Sequence, residues 1–399
     1  MHHIYLDHQA TTPLDPMVLD AMMPYLTERF GNAGSRAHRF GWEAEEAVET
    51  ARGEVARAIH AMDREIVFTS GATESINLAL RGVCEALQEE GRHVITSVTE
   101  HPATLATLGH LSQQGWHITY LPVDREGLVS AAQVEAAMST QTVLVTLLHG
   151  NNEVGTLQPI SEIGRLTRRQ GIYFHVDAAQ ALGRVALDVQ EMCIDLLSMS
   201  AHKVYGPKGV GALFVRRRDP RVRLSAQMHG GGQERGLRSG TLNVPGIVGF
   251  GRAAALASER LPLEAARLSD LRDRFVMMLQ EALPAVHLLG HPKLRLPGHA
   301  MLCFDGIRAD DLLLNLRGVA ASTGSACASA TQSPSHVLRA LGLNDEQAAG
   351  CVRFGFGRFN HEDDISEAVN RIVPVVQSLR AVSPRWELQN PPPGLASRG

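Results

Sequence analysis

The chain has 399 residues, 44% of them hydrophobic and 20% charged, with a formal net charge of -4. That is the composition of an ordinary globular protein with core enough for two or three domains, and it argues against nucleic acid as the main partner. No apolar run of about 18 residues and no signal-peptide pattern at residues 1–9 is present, so neither a membrane span nor a secretory leader is expected. The five cysteines are odd in number and widely spaced, without CxxC or zinc spacing, and the 18 histidines contain no HExxH. A reducing cytoplasm without a protein-bound metal is the expectation.

In chain order, Tyr5 to Leu14 (YLDHQATTPL) reads as a short strand and turn, an arm laid on another part of the protein. Trp42 to Ile59 is helix-like. From Glu65 to about Val215 strands and helices alternate, the pattern of a mostly parallel sheet covered on both faces. Its first turn is Ser70-Gly71-Ala72-Thr73-Glu74-Ser75 between a strand (Ile66 to Thr69) and a helix. Small residues at a helix N-terminus expose backbone N–H groups beside a positive dipole end, which suits an anion; an ordinary hydroxyl cap is the alternative.

The second turn, Thr99-Glu100-His101-Pro102, places His101 at the same sheet edge, where an imidazole can stack on a ring and pass protons near neutral pH. The third follows Val143 to Leu148 and carries Asn152, either a turn residue or an amide for a ligand. Asp177 ends the strand Ile172 to Val176. Lys203 follows the apolar run Ile194 to Met199, and Gly206, Pro207, Gly209 and Gly211 then force a turn into a returning strand, Ala212 to Val215. A lysine between buried strands must be paired, lose its charge or form an imine. A carboxylate that keeps a pyridinium protonated, beside a lysine that forms the imine, is the minimal apparatus for pyridoxal phosphate.

A long Arg/Glu/Leu helix is expected to begin near Gly251 to Ala257. A smaller α+β domain follows: strand Met301 to Phe304, helix Ala309 to Leu316, helix Pro334 to Leu341, strand Val352 to Phe356 and helix Ile365 to Leu379. Arg353 offers a planar fork for a carboxylate. Cys327 lies among small residues from Ser322 to Pro334, with no large apolar side chain to bury, so an accessible thiol is expected. Cys84, Cys193, Cys303 and Cys351 border apolar segments and read as small core residues.

Read together, FTSGATES, TEHPA, NNEVGT, HVDAAQ and SAHKVYGPKGVG resemble the fold type I pyridoxal-phosphate enzymes. With MHGGGQERGLRSGT and STGSACASA the chain resembles the NifS/IscS-type cysteine desulfurases, in the IscS-like branch, from Tyr5 to about Trp386. The resemblance implies an α/β fold, a mostly parallel seven-stranded sheet with helices on both faces plus a smaller α+β domain. The expected units are an arm (1–15) on the small domain, a large cofactor domain (16–257), a small domain with the cysteine loop (258–385) and a flexible tail (386–399).

The same resemblance implies pyridoxal 5'-phosphate as cofactor, with Lys203 as the Schiff-base residue, Asp177 at the pyridine nitrogen, Gln180 on the phenolic oxygen and His101 stacked on the ring. Ala72, Thr73, Ser200 and His202 would hold the phosphate, and Thr241 would reach it from the other subunit of a homodimer. Asn152 and Arg353 would bind the carboxylate of L-cysteine. His101 would manage the substrate thiol proton, and Cys327 would take the sulfur as a persulfide, with a transient role as iron–sulfur ligand. The product is alanine and the sulfur passes to an iron–sulfur scaffold or another acceptor protein. A selenocysteine lyase, another fold type I lyase or aminotransferase, and a non-catalytic sulfur carrier are the alternatives. The basic cluster Arg216, Arg217, Arg218, Arg221 and Arg223 matches a region that meets acidic partners in that branch. The Pro391-Pro392-Pro393-Gly394 ending departs from the branch, which puts scaffold docking through the tail in doubt. Gln9, Gly150 and Ala179 are given no function.

Overall fold

The computed structural model describes residues 2–324 and 335–389. Cys327 and the Pro-rich ending therefore lie outside the described residues.

The chain opens with β1 (Ile4–Tyr5), α1 (Pro16–Thr27) and α2 (Arg39–Arg57). The alternating region follows: β2 (Ile66–Thr69), α3 (Ala72–Leu87), β3 (His93–Ser97), α4 (Pro102–Gln113), β4 (His117–Leu121), α5 (Ala131–Ala137), β5 (Thr142–Leu148), α6 (Ile160–Gln170) and β6 (Tyr173–Asp177). Then come β7 (Leu196–Ser200) and β8 (Gly211–Val215). These strands form a seven-stranded sheet in the order β2-β8-β7-β6-β5-β3-β4, in which β8 alone runs against its neighbours. The parallel majority has a plain cause. β5, TVLVTLL, is buried at every position, as a strand covered on both faces must be, whereas the edge strand β4 is exposed or half-buried at all but Leu121. Burying side chains as large as Phe174 and Phe214 in this core contributes about 2–3 kcal/mol each.

The helix expected to begin near Gly251 instead begins at Val244 and runs unbroken to Ala282 as α7. Asn243 caps it and Pro245 sits in its first turn, where a missing N–H is harmless. At 39 residues it is about 58 Å long, so Val244–Ala257 packs in the core of the large sheet and Leu268–Leu279 in a second core. That second core is built on β9 (Val286–Leu289), β10 (His299–Phe304), α8 (Ala309–Asn315), β11 (Val319–Ala320), β12 (Cys351–Gly355) and α11 (Glu362–Ala381), while α9 (His336–Ala340) and α10 (Asp345–Ala349) pack with Val154, Met301 and Cys303 in a smaller separate cluster and α12 (Pro384–Gln389) follows α11. The sheet of the second core has the order β12-β10-β9, and β1 pairs in parallel with β11, with Ile4 and Leu6 buried in the same core.

Two sequence expectations change. Cys193 is only partly buried, in a left-handed turn at φ +52°, while Cys84, Cys303 and Cys351 are buried. Arg216, counted in the basic cluster, is buried and not on the surface with the rest of it. It is 4% exposed, held by the Asp195 carboxylate at 3.3 Å and by the Ile194 carbonyl, because a cation under β8 needs partners. Arg218, Arg221 and Arg223 are exposed, and Arg223 pairs with Glu90.

Candidate active site

Every parallel strand of the large sheet delivers its C-terminal end to one edge, the place where α/β folds collect ligands. The turns after β2, β3, β5, β6 and β7 meet there around a cavity of about 590 Å³ that opens toward the second core. Ala72, Thr73, His101, Asn152, Asp177, Gln180, Ser200, His202, Lys203 and Arg353 all line it. Thr241 does not; it is exposed on the loop after β8.

Local structure explains each placement. Gly71, at φ +151°, enters α3 with no side chain capping the helix, so its first-turn N–H groups face the cavity edge beside Ser200. Gly211 allows this closeness. A Cβ there would lie 2.7 Å from the Gly71 Cα and 2.5 Å from the Met199 carbonyl oxygen. Asp177 closes β6 in register with Ser198 of β7, and its Oδ1 accepts from the Ala179 N–H at 2.9 Å. Burial raises its pKa, while the positive ends of His101 and Lys203 draw it back. A buried carboxylate of this kind is completed by a cation.

Lys203 stands in the short turn after β7. Its Nζ donates to the Ala10 carbonyl at 2.8 Å and to that of Gln9. Gln9, given no function from sequence, thus holds the lysine through its backbone. It also accepts from the Gln180 amide at 2.9 Å, leaving the buried Gln180 Oε1 without a partner among the described residues. His202 is pushed down to about 4 by burial, with Lys203 and Lys208 adding to it, so it stays neutral and bonds Thr11.

His101 caps α4. Its Nδ1 accepts from the Ala103 N–H at 3.1 Å, so in the neutral ring the proton is on Nε2. Burial lowers its pKa; Asp177 opposes this, and Lys203 and His336 reinforce it.

Arg353 on β12 is 2% exposed and tied at three points. Nη1 donates to the Asn152 carbonyl at 2.9 Å and the Gly324 carbonyl at 3.3 Å, and Nη2 to Asp7 Oδ1 at 2.9 Å. Its Nε is buried without a partner among the described residues.

Sequence reasoning missed Asp7, Glu153, Ser335 and His336. Asp7 lies far from Arg353 in sequence, and the bridge of Asp7 to Gly355 of β12, beside the pairing of β1 with β11, brings it near. Glu153, Ser335, His336 and Arg339 line the cavity from the other wall. The NNEVGT and PSHVLRALGL segments held the signal, since each carries ionisable groups beside a turn. Among the described residues no three His, Cys, Asp or Glu side chains gather as a metal set.

Residues 4–367 match the class-V aminotransferase family. A protein named cysteine desulfurase IscS from Anaeromyxobacter sp. (strain Fw109-5) is 50% identical over 385 residues, 96% of this chain and 95% of that one. One of the same name from Vibrio cholerae serotype O1 (strain ATCC 39541 / Classical Ogawa 395 / O395) is 51% identical over 387 residues, with the same two shares. Among solved structures, a NifS-like protein superposes with a TM-score of 0.88 at 36% identity, covering 94% of this chain and all of the other. A structure titled SspA in complex with cysteine gives 0.79 at 40% identity, covering 88% and 98%. On the family match, the two relatives and the shared fold, the chain belongs to the class-V aminotransferase family, among its cysteine desulfurases.

Proposed function

We propose that the chain binds pyridoxal 5'-phosphate in this cavity and removes sulfur from L-cysteine, giving L-alanine and a persulfide on Cys327. The observation that carries the reading is the meeting of Lys203, Asp177 and Arg353 on one cavity wall-to-wall: an amine, a buried acid and a buried carboxylate-binding fork. The residues fit the cofactor. Asp177 calls for a cationic partner, Gln180 has an orphaned oxygen, and the uncapped start of α3 with Thr73, Ser200 and His202 suits a phosphate. When bound, the cofactor supplies an electron sink for the bond broken at the substrate Cα.

The chain's own residues do the rest. Arg353 and Asn152 orient the substrate carboxylate, and Lys203 moves the Cα proton through Nζ. Burial pushes Asp177 toward its neutral form, and it would stay ionised opposite the ring cation of the bound cofactor. His101 presents its Nε2–H to the cavity. Cys327 lends a thiolate that takes the sulfur, so cysteine plus one protein thiol become alanine plus one protein persulfide.

The protein acts as a homodimer in which Thr241 serves the neighbour's phosphate site. The exposed Met23, Leu26, Phe30, Phe40 and Trp42, with Phe30 stacked on Phe40 at 5.5 Å, offer an apolar surface for that association. Residues 16–257 and 258–385 act as large and small domains, with 1–15 as an arm on the latter. Arg218, Arg221 and Arg223 provide a docking face for an acidic sulfur acceptor that serves iron–sulfur assembly. The setting is cytoplasmic, and no described helix is long and apolar enough to cross a membrane.

The test is the purified protein incubated with L-cysteine. Alanine release and a mass gain of one sulfur on the peptide containing Cys327 are the expected results; a bound chromophore without either product would refute the reading.

A further inference from the structure

Three imidazoles line the cavity; His202 is engaged with Thr11, and the other two present opposite chemistry. On His101 the Nδ1 lone pair is already spent on the Ala103 N–H, so the neutral ring shows the cavity an N–H donor. On His336 the roles are reversed. Its Nε2 lies 3.0 Å from the Glu100 carbonyl oxygen, and a carbonyl only accepts, so Nε2 carries the proton. Nδ1 of His336 is then the ring's lone pair, and it has no hydrogen-bond partner among the described residues. A neutral imidazole with one nitrogen anchored and the other bare is poised to accept a proton.

The surroundings hold His336 in place. Glu153 Oε2 accepts from the Ser335 hydroxyl at 2.5 Å, and Ser335 Oγ in turn caps α9 by accepting from the N–H groups of Val337 and Leu338 at 3.1 and 3.3 Å. This chain fixes the first turn of α9 and with it the His336 backbone. The charged and titratable groups that share the cavity with His336 are Glu153 from the loop after β5, His101 from the turn before α4, Asp177 from β6, His202 and Lys203 from the turn after β7, Arg353 from β12 and Arg339 from α9, and the Glu100 carbonyl holds its Nε2. Glu153 is 4% exposed; burial raises its pKa, while the Ser335 hydroxyl, His336 and Arg353 draw it back.

We propose that His336 is a second catalytic residue, the base that accepts the thiol proton of the substrate through Nδ1. The inference rests on the desulfurase reading and reassigns the thiol-proton task that the sequence pointed to at His101. In the step the substrate S–H bond breaks and an N–H bond forms on His336. The same proton is delivered to the methyl carbon of alanine, which gains one hydrogen as the C–S bond is lost, so no outside oxidant or reductant is required.

The test compares the unaltered holoenzyme with His336→Gln across pH 6.5 to 10, measuring alanine formation. Near pH 7 the variant should be slower by ~100-fold in kcat, the usual worth of a positioned base. A free thiol ionises by itself near pH ~8.5, so the gap should close as pH rises beyond that value. A gap that stays constant with pH marks a merely structural role and overturns the proposal, as does a variant equal to the parent throughout. Nitrogen-15 NMR of labelled histidine in the unaltered protein without cofactor gives an independent readout: protonated Nε2 and bare Nδ1 at His336 are expected, and the opposite tautomer overturns the proposal. Absence of alanine from the unaltered enzyme overturns the desulfurase reading and this inference with it, whereas alanine from the parent with no pH-dependent gap removes only His336.

Discussion

Asp7 Oδ1 lies 2.9 Å from Arg353 Nη2, joining the first strand of the chain to a strand near its end across the floor of the cavity. The same Oδ1 accepts from the Ser322 hydroxyl at 3.1 Å, two residues before Gly324. The arm is therefore part of the site's support.

Asp7→Asn should weaken both fold and substrate binding. Removing one partner of a buried pair leaves the guanidinium uncompensated, a loss of about 3 kcal/mol that a lowered urea midpoint reads directly. Arg353 then loses its orientation, and KM for L-cysteine should rise about tenfold, the loss of about one charge-assisted hydrogen bond. An unchanged KM would separate Asp7 from substrate binding.

Asp177→Asn probes the acid at the end of β6. An amide is isosteric but carries no charge, so the cationic partner it is built to face is no longer favoured. Turnover should drop by about 100-fold or more, while the cofactor's visible absorbance shows that it still binds. Equal kcat in parent and variant would exclude Asp177 from the chemistry.

Glu234→Gln tests a buried anchor remote from the cavity. Arg52 meets both Glu234 oxygens at 2.7 and 2.8 Å, and Glu234 also accepts from the Phe68 N–H at 2.8 Å, which pins the loop before Thr241 to α2 and β2. Breaking the pair should destabilise the protein by about 3–5 kcal/mol in urea unfolding. Arg52→Met combined with Glu234→Leu should recover most of this loss, because no lone buried charge remains.

Glu100 makes a pH prediction of definite sign. The residue is 1% exposed, and burial, with the nearby Asp177 charge adding to it, holds its pKa well above the ordinary carboxylate range. A carboxyl whose folded pKa is raised stabilises the fold most below its unfolded pKa of about 4.3. That contribution is lost as pH climbs toward and through the folded pKa. Glu100→Gln, which keeps the acceptor for the Ser97 hydroxyl at 2.7 Å, should gain thermal stability over the parent increasingly from pH 5 to 9. A constant difference over that range would show that Glu100 does not titrate with folding.

The sheet and most of its edge were legible because they depend on local pattern. Apolar runs of four to seven residues ending in small polar turns announced β2, β5, β6 and β7, and a strand's end is also where its turn residue must lie. The places of Lys203, Asp177 and His101 at the sheet edge followed from that, whereas Thr73 was singled out within its turn by the family resemblance. The start of α7 was misplaced because GIVGFG at residues 246–251 has too many glycines to read as a helix, and burial against the large sheet outweighs that propensity.

By itself the sequence determined the order of strands and helices, the residue types at each turn, and through its motifs the family, since all of these are encoded within stretches of about ten residues. Tertiary structure alone decided that Asp7 supports Arg353, that the Gln9 carbonyl holds Lys203, and which nitrogen of His101 and of His336 carries the proton. Those facts depend on backbone donors and carbonyls brought together from distant parts of the chain. The backbone offers the same N–H and C=O at every residue, so no side-chain pattern foretells which of them will meet.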